Sequence, residues 1–255
     1  MARLSLPTVT LCAVASVNVA ATIAALRVCL EQVEFAECLF FTDAELAEVP
    51  PGVRLVPIPP IRSALGYSEF LLRNLGPHVH SGHCLVVQWD GFVIDSERWD
   101  AEFLAYDYIG APWPQYGDGR DVGNGGFSLR SKSLLEACRD PRFRFAHPED
   151  VAICRTNRVF LEGVHGIRFA ERGTAERFAF ERHKTGASTF GFHGIFNMGP
   201  ALGLDRFWEI YRSLDDRSSA FTDFRLLMRQ LGAGRRAWGR RARLVSDRLK
   251  AVVGR

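Results

Sequence analysis

The sequence predicts an α/β fold with a mostly parallel sheet flanked by helices. Two observations predict it. Short apolar, β-branched runs alternate with helix-period segments through the first half, and several runs stop abruptly at an acid or a glycine. The runs are continuously apolar rather than alternating, as expected of parallel strands buried on both faces. A chain of 255 residues, 47% hydrophobic and 24% charged, can build one such core and is not a disordered sequence.

The elements follow in order. Val9–Ala15 reads as a buried strand, and Val19–Gln32 as a helix whose apolar residues recur every three or four positions. Glu37–Thr42 and Val53–Ile58 read as further strands, the second set among the prolines at 50, 51, 57, 59 and 60. Ser68 suits the N-cap of a short helix, Glu69–Leu75. Next comes the strand Cys84–Val87, which runs into Gln88-Trp89-Asp90-Gly91. A Pro/Gly loop from Gly110 to Gly123 leads into Gly125–Leu129 and then a helix from about Lys132. Another helix is expected near Pro148, a short strand at Thr189–Phe192, and mainly helix thereafter. The expected division is one domain over 1–232 and a basic amphipathic helix over 233–255.

Several classes are disfavoured. The longest apolar candidate, Leu11 to Leu30, is broken by Ser16, Asn18, Thr22 and Arg27, short of the ~20 apolar residues a spanning helix needs. It also lacks the basic start and cleavage pattern of a signal peptide. The six cysteines form no C-x-x-C pair and mostly sit in apolar segments, so buried free thiols in a reducing compartment are expected. His78, His80 and His83 fit no standard zinc spacing. A cytoplasmic protein is the resulting expectation.

Charge is unevenly placed. Residues 235–255 hold eight Arg or Lys against Asp247, so this tail carries +7 of a net +3 and leaves the body at −4. An acidic body does not suit nucleic acid. In the tail, Trp238, Val245, Leu249 and Val252 recur at helical spacing opposite several arginines. That pattern fits peripheral contact with the inner face of an anionic membrane, and equally a solvated terminal helix. Both readings stay open at this level.

Four short segments could carry chemistry. Asp43 and Asp90 end strands, which places two carboxylates on the rim where such sheets bind ligands. Asp90 could ligate a hard cation, although Asp-Gly is also ordinary turn chemistry. Val122-Gly-Asn-Gly-Gly126-Phe-Ser-Leu-Arg130 offers glycines that allow positive φ and close approach to a ligand, or simply a tight turn. It matches neither a dinucleotide nor a P-loop fingerprint. Pro148-Glu149-Asp150-Val151 places two acids at a helix start, as dipole-favourable residues or as a general base. Phe190-Gly191-Phe192-His193-Gly194 ends in a histidine suited to a metal or to a structural bond.

Taken in order, these segments resemble the GT-A type of glycosyltransferase. More closely, Gln88–Val93, Tyr108–Trp113, Val122–Arg130, Pro148–Val151 and Thr189–Met198 resemble a bacterial domain-of-unknown-function family related to those enzymes. The resemblance implies a GT-A-like fold over roughly residues 8–200. Gln88-Trp89-Asp90 would stand where those enzymes carry Asp-x-Asp, with an amide in place of the first acid. Asp90 and His193 would then hold Mn²⁺ or Mg²⁺. Ser16, Asp43, Gln88, Trp89, Asp90, Gly125 and Gly126 would line the donor site. Asp150 would be the general base, with Glu149 its neighbour or substitute. The implied activity is a hexosyltransferase-like, inverting transfer from a nucleotide-sugar to a glycan, lipid-linked or small-molecule acceptor, as in polysaccharide biosynthesis. The alternatives are a non-catalytic sugar-nucleotide-binding module and a sugar nucleotidyltransferase.

Overall fold

In the computed structural model, which describes residues 3–182, 188–232, 234 and 236–253, the apolar runs become the strands of one sheet. β1 (Leu4–Val14), β2 (Val33–Thr42), β3 (Val53–Pro57) and β4 (His83–Val87) pair in parallel in the order β3-β2-β1-β4. β6 (Phe127–Ser131) joins β4 antiparallel, and β5 (Tyr108–Ile109) pairs antiparallel with β6 at the edge. Within this sheet, β6 alone runs against the rest, so the mostly parallel α/β expectation holds. Leu11, Cys12, Ala13, Phe40 and Phe41 are all buried, which explains why β1 and β2 read as unbroken apolar runs.

α1 (Val19–Gln32) packs on β1 and β2 and buries Ala21, Ala25 and Cys29, one residue per turn. On another side of the sheet, Cys12, Leu39, Phe41 and Val86 pack with Phe70, Leu71, Leu75 and Leu135. The chain segment carrying Phe70 differs from expectation. α2 spans Ala64–Glu69 and is capped by Ser63, whose hydroxyl accepts from the Gly66 N–H; a π-helical turn, Phe70–Asn74, continues it. Ser68 is therefore interior and buried. Its hydroxyl is engaged with His147 Nδ1 at 2.8 Å rather than with a helix terminus.

α3 (Lys132–Ala137) is capped by Ser131, which accepts from the Leu134 N–H. α4 (Glu149–Val151) passes into a π-helical turn, Ala152–Thr156, and α5 (Arg158–His165) and α6 (Arg172–Phe178) follow. β7 (Ala179–Phe180) and β8 (Gly191–Phe192) form a short parallel pair, and Gly191 also bridges to Val93. All six cysteines are buried free thiols, as expected.

The chain divides into two compact units, Met1–His193 and Gly194–Arg255. The second is helical: α7 (Ile195–Leu202), α8 (Leu204–Ser213), α9 (Ser218–Thr222), α10 (Phe224–Gln230) and α11 (Ala237–Val253). The division expected at 232/233 falls inside this unit. Among the described residues, no helix is long and apolar enough to cross a membrane.

Candidate functional site

The antiparallel pairing of β4 with β6 builds the site. Val87 at the end of β4 faces Phe127 at the start of β6, so residues 88–91 and 124–126 leave the sheet at the same rim. A tight turn follows β4, closed by the Gln88 N–H on the Gly91 carbonyl (3.0 Å) and the Gly91 N–H on the Gln88 carbonyl (3.1 Å). Asp90 thus sits in an ordinary turn and also on the ligand rim. A cleft of about 350 Å³ opens there, lined by Gln88, Gly125, Gly126, Asp150, Glu181 and His193 among others.

One wall is a polar chain. Gln88 Nε2 donates to the Tyr67 hydroxyl (2.8 Å), and Gln88 Oε1 lies 3.1 Å from His193 Nε2. The other ring nitrogen, Nδ1, lies 3.3 Å from Glu181 Oε1, and Asp90 Oδ1 is 3.7 Å from Nε2. Carboxylates and an amide oxygen can only accept, so Nδ1 donates to Glu181 and Nε2 to Gln88 Oε1, and the ring is held as an imidazolium facing Asp90. Burial opposes a charge on this ring, but Asp90 and Glu181 outweigh it and push His193 up to about 9. Burial would likewise raise Glu181, yet its bond to His193 holds it below its ordinary range.

The opposite wall is built on a buried ion pair. Ser128 and Arg130 share a face of β6, since side chains alternate along a strand. Arg130 is 0% exposed; its Nε donates to Ser128 Oγ (3.0 Å) and its Nη2 to Glu149 Oε1 (3.1 Å). Glu149 therefore spends its charge on Arg130. Asp150, next to it, is half-buried and faces the glycine loop. The Gly125 N–H donates to Oδ2 (3.1 Å) and the Val151 N–H to Oδ1 (2.8 Å). Burial first, then the charge of Glu149, raise Asp150 above the usual carboxylate range.

The glycines serve close approach, not unusual backbone. A Cβ at Gly125 would meet Glu149 Oε1 at 2.0 Å, and one at Gly126 would meet His193 Nε2 at 2.0 Å. Positive φ, expected of the glycines, falls to Asn124 (φ 64°).

Of the residues expected at the site, Gln88, Gly125, Gly126, Glu149, Asp150 and His193 line the cleft, and Asp90 reaches it through His193. Ser16, Asp43 and Trp89 do not line it. The Ser16 hydroxyl accepts from the Ile61 N–H (2.8 Å), Asp43 is exposed past the end of β2, and Trp89 is half-buried in the turn. Tyr67 and Glu181 were not foreseen. Tyr67 lies in a helix with no motif around it, and Glu181 precedes a run of charged residues that gave no reason to choose one. Arg130 carried a visible signal: a cation between Leu129 and Ser131 in a short strand buried throughout.

For a metal, no cluster of three His, Cys, Asp or Glu side chains is poised to hold one among the described residues. Asp90, His193 and Gln88 could hold a hard divalent ion only once Nε2 gives up its proton. Asp90 Oδ1, His193 Nε2 and the Gln88 carbonyl converge, with Glu181 on the far ring nitrogen as an orienting partner.

A family model described as "Protein of unknown function (DUF5672)" matches residues 52–193, more than half of the chain. The chain belongs to this family. The DUF5672 span begins before α2 and ends at His193, so it contains every residue that lines the cleft. No curated protein matches the chain. The chain is similar, at 12% identity and a TM-score of 0.45, to a glycosyltransferase involved in the glycosylation of the major capsid of PBCV-1. That match covers 81% of this chain and 100% of the other.

Proposed function

We propose that this member of DUF5672 is a GT-A-like, inverting glycosyltransferase that moves a sugar from a nucleotide-sugar to a hydroxyl of a glycan, lipid-linked or small-molecule acceptor. One observation carries the reading: a single cleft sets Gln88 and His193 on one wall, with Asp90 behind the histidine, and the raised carboxyl of Asp150 on the other. The order of these residues along the chain, which resembles that of GT-A enzymes, supports it.

The first wall receives the donor diphosphate. Mn²⁺ or Mg²⁺ held by Asp90 and His193 would supply Lewis-acid stabilisation of the leaving diphosphate. Glu181 and Tyr67 hold His193 and Gln88 in place before the donor arrives, so little reorganisation is needed. On the second wall, the Gly125 and Val151 N–H groups fix Asp150, whose carboxylate takes the proton of the acceptor hydroxyl as its oxygen attacks. Arg130 and Glu149 keep the loop before β6 joined to the start of α4, which sets the position of Asp150.

The test is incubation of the purified chain with UDP-, GDP-, CDP- and dTDP-sugars, with and without Mn²⁺, following thermal stabilisation and released nucleotide. The reading expects stabilisation by one donor that is weakened in Asp90→Asn. It expects release of a nucleoside diphosphate that is abolished in Asp150→Asn while donor binding remains. Pyrophosphate formed from an added nucleoside triphosphate and sugar 1-phosphate would make the protein a nucleotidyltransferase, and binding without release would make it a sugar-nucleotide-binding module.

A further inference from the structure

The outer face of α11 is apolar where a solvated helix would be polar. Arg240, Leu244 and Asp247 are buried, and this inward side is tied down by Arg240 on Asp205 and by the Tyr211 hydroxyl on Asp247 (3.1 Å). At 3.6 residues per turn, Trp238, Ala242, Val245, Leu249 and Val252 line up on the opposite side. Trp238 is 86% exposed, Leu249 60% and Val252 68%, so both ends of the stripe are bare, while Val245 at 37% is partly covered between them. Arg241 and Arg248 border it on one edge, Arg243 and Lys250 on the other. The only acid of the helix, Asp247, is turned inward and pairs with Arg243 (2.9 Å), and Arg241 donates to the Met228 carbonyl (2.8 Å). Arg248 and Lys250 therefore carry most of the exposed positive charge, one on each edge.

We infer that α11 is a membrane-surface helix that docks on an anionic phospholipid bilayer, with the Trp238–Val252 stripe seated among the acyl chains and the flanking cations at the headgroups. Charge complementarity selects this occupant. Cations on both edges of an apolar stripe match a continuous anionic plane, and a tryptophan at one end suits the interfacial region. The helix lies in the interface rather than crossing it, since it is too short and too polar to span. This inference stands independently of the glycosyl-transfer reading.

The experiment is co-sedimentation of the full chain with vesicles rich in phosphatidylglycerol and with vesicles of phosphatidylcholine alone, with tryptophan emission recorded alongside. The expected result is pelleting with the anionic vesicles, a shift of emission to shorter wavelength, and weakening by added salt. Trp238→Ser combined with Leu249→Ser should weaken partitioning at least about tenfold. Lys250→Gln, which leaves the stripe intact, should weaken it about fivefold. Trp238→Phe should keep the pelleting and lose the emission shift. Equal partitioning to neutral and anionic vesicles would overturn the inference, as would binding that ignores the Trp238/Leu249 pair. So would a concentration-dependent dimer, dispersed by that pair, in a chain that does not bind vesicles; the stripe would then meet a second copy.

Discussion

A Cβ on Gly126 would stand 2.0 Å from Nε2 of His193, so the imidazole occupies the space that this glycine leaves open. The two residues are far apart in sequence, and the start of β6 and the end of β8 bring them together. Gly126→Ala must push either the ring or the loop. Ring nitrogens bonded to Gln88 and Glu181 have little freedom to yield. The variant is expected to fold, with an overpacking cost of about 1–3 kcal/mol, and to lose donor binding. Calorimetric titration with the donor checks this; affinity equal to that of the parent chain would count against a ligand-binding role for His193.

Glu149 and Asp150 are neighbours with opposite duties, and substitution should separate them. Removing the Glu149 charge leaves Arg130 buried without its carboxylate, which costs about 3–5 kcal/mol when one partner of such a pair is lost. Glu149→Gln should therefore lower the denaturant midpoint markedly. Asp150→Asn should not. A carboxyl raised in the fold contributes stability only while protonated, so its ionised form at neutral pH is a burden that Asn removes. Asp150→Asn exchanges that burden for the loss of one backbone N–H partner, since its single oxygen cannot accept from both Gly125 and Val151. It should leave the midpoint nearly unchanged yet cost about 10²–10⁴-fold in turnover. Loss of turnover only in Glu149→Gln would reverse the assignment of the base.

The parts legible in the sequence were those fixed by local pattern. Strands buried on both faces announce themselves as apolar runs, and α1 was readable to its ends from apolar residues recurring every three or four positions. The rim was legible too, since an acid after an apolar strand has few other places to go. Asp43 belongs to that rim as a strand end, whereas Ser16 and Trp89 were expected in the donor site only through the resemblance. The cleft lies where β4 meets antiparallel β6, and neither the pairing nor its direction is written in β6 itself. Glu181 and Tyr67 enter the site only through tertiary contacts with His193 and Gln88, which no spacing encodes.

The pH dependence of turnover follows from Asp150. As a base it works ionised, and burial with the Glu149 charge raises its pKa. Activity should be full at high pH and fall as pH drops through that raised value, above the ~3.9 of an ordinary aspartate. The acid limb of kcat/KM against pH should therefore lie above the usual carboxylate range, and it should be absent from residual activity in Asp150→Asn. A limb at the ordinary aspartate value would mean that Asp150 titrates in water, not beside Gly125 in the cleft.

Glu181 is a positioning residue whose effect runs through His193. Its carboxylate accepts from Nδ1 and holds the ring with Nε2 towards Asp90, where a metal would take the place of the Nε2 proton. Outer partners of this kind typically change metal affinity 10–100-fold when removed. Glu181→Leu, which keeps bulk but cannot accept, should weaken Mn²⁺-dependent donor binding by about that factor. Glu181→Gln retains a carbonyl oxygen at the same position and should restore most of the loss. Titration of Mn²⁺ in the presence of the nucleotide reads the effect directly, and thermal unfolding without either ligand reports whether the fold was disturbed. If the Leu variant bound Mn²⁺ as tightly as the parent chain, the imidazole would be held by Gln88 and Asp90 alone and Glu181 would have no part in orienting it.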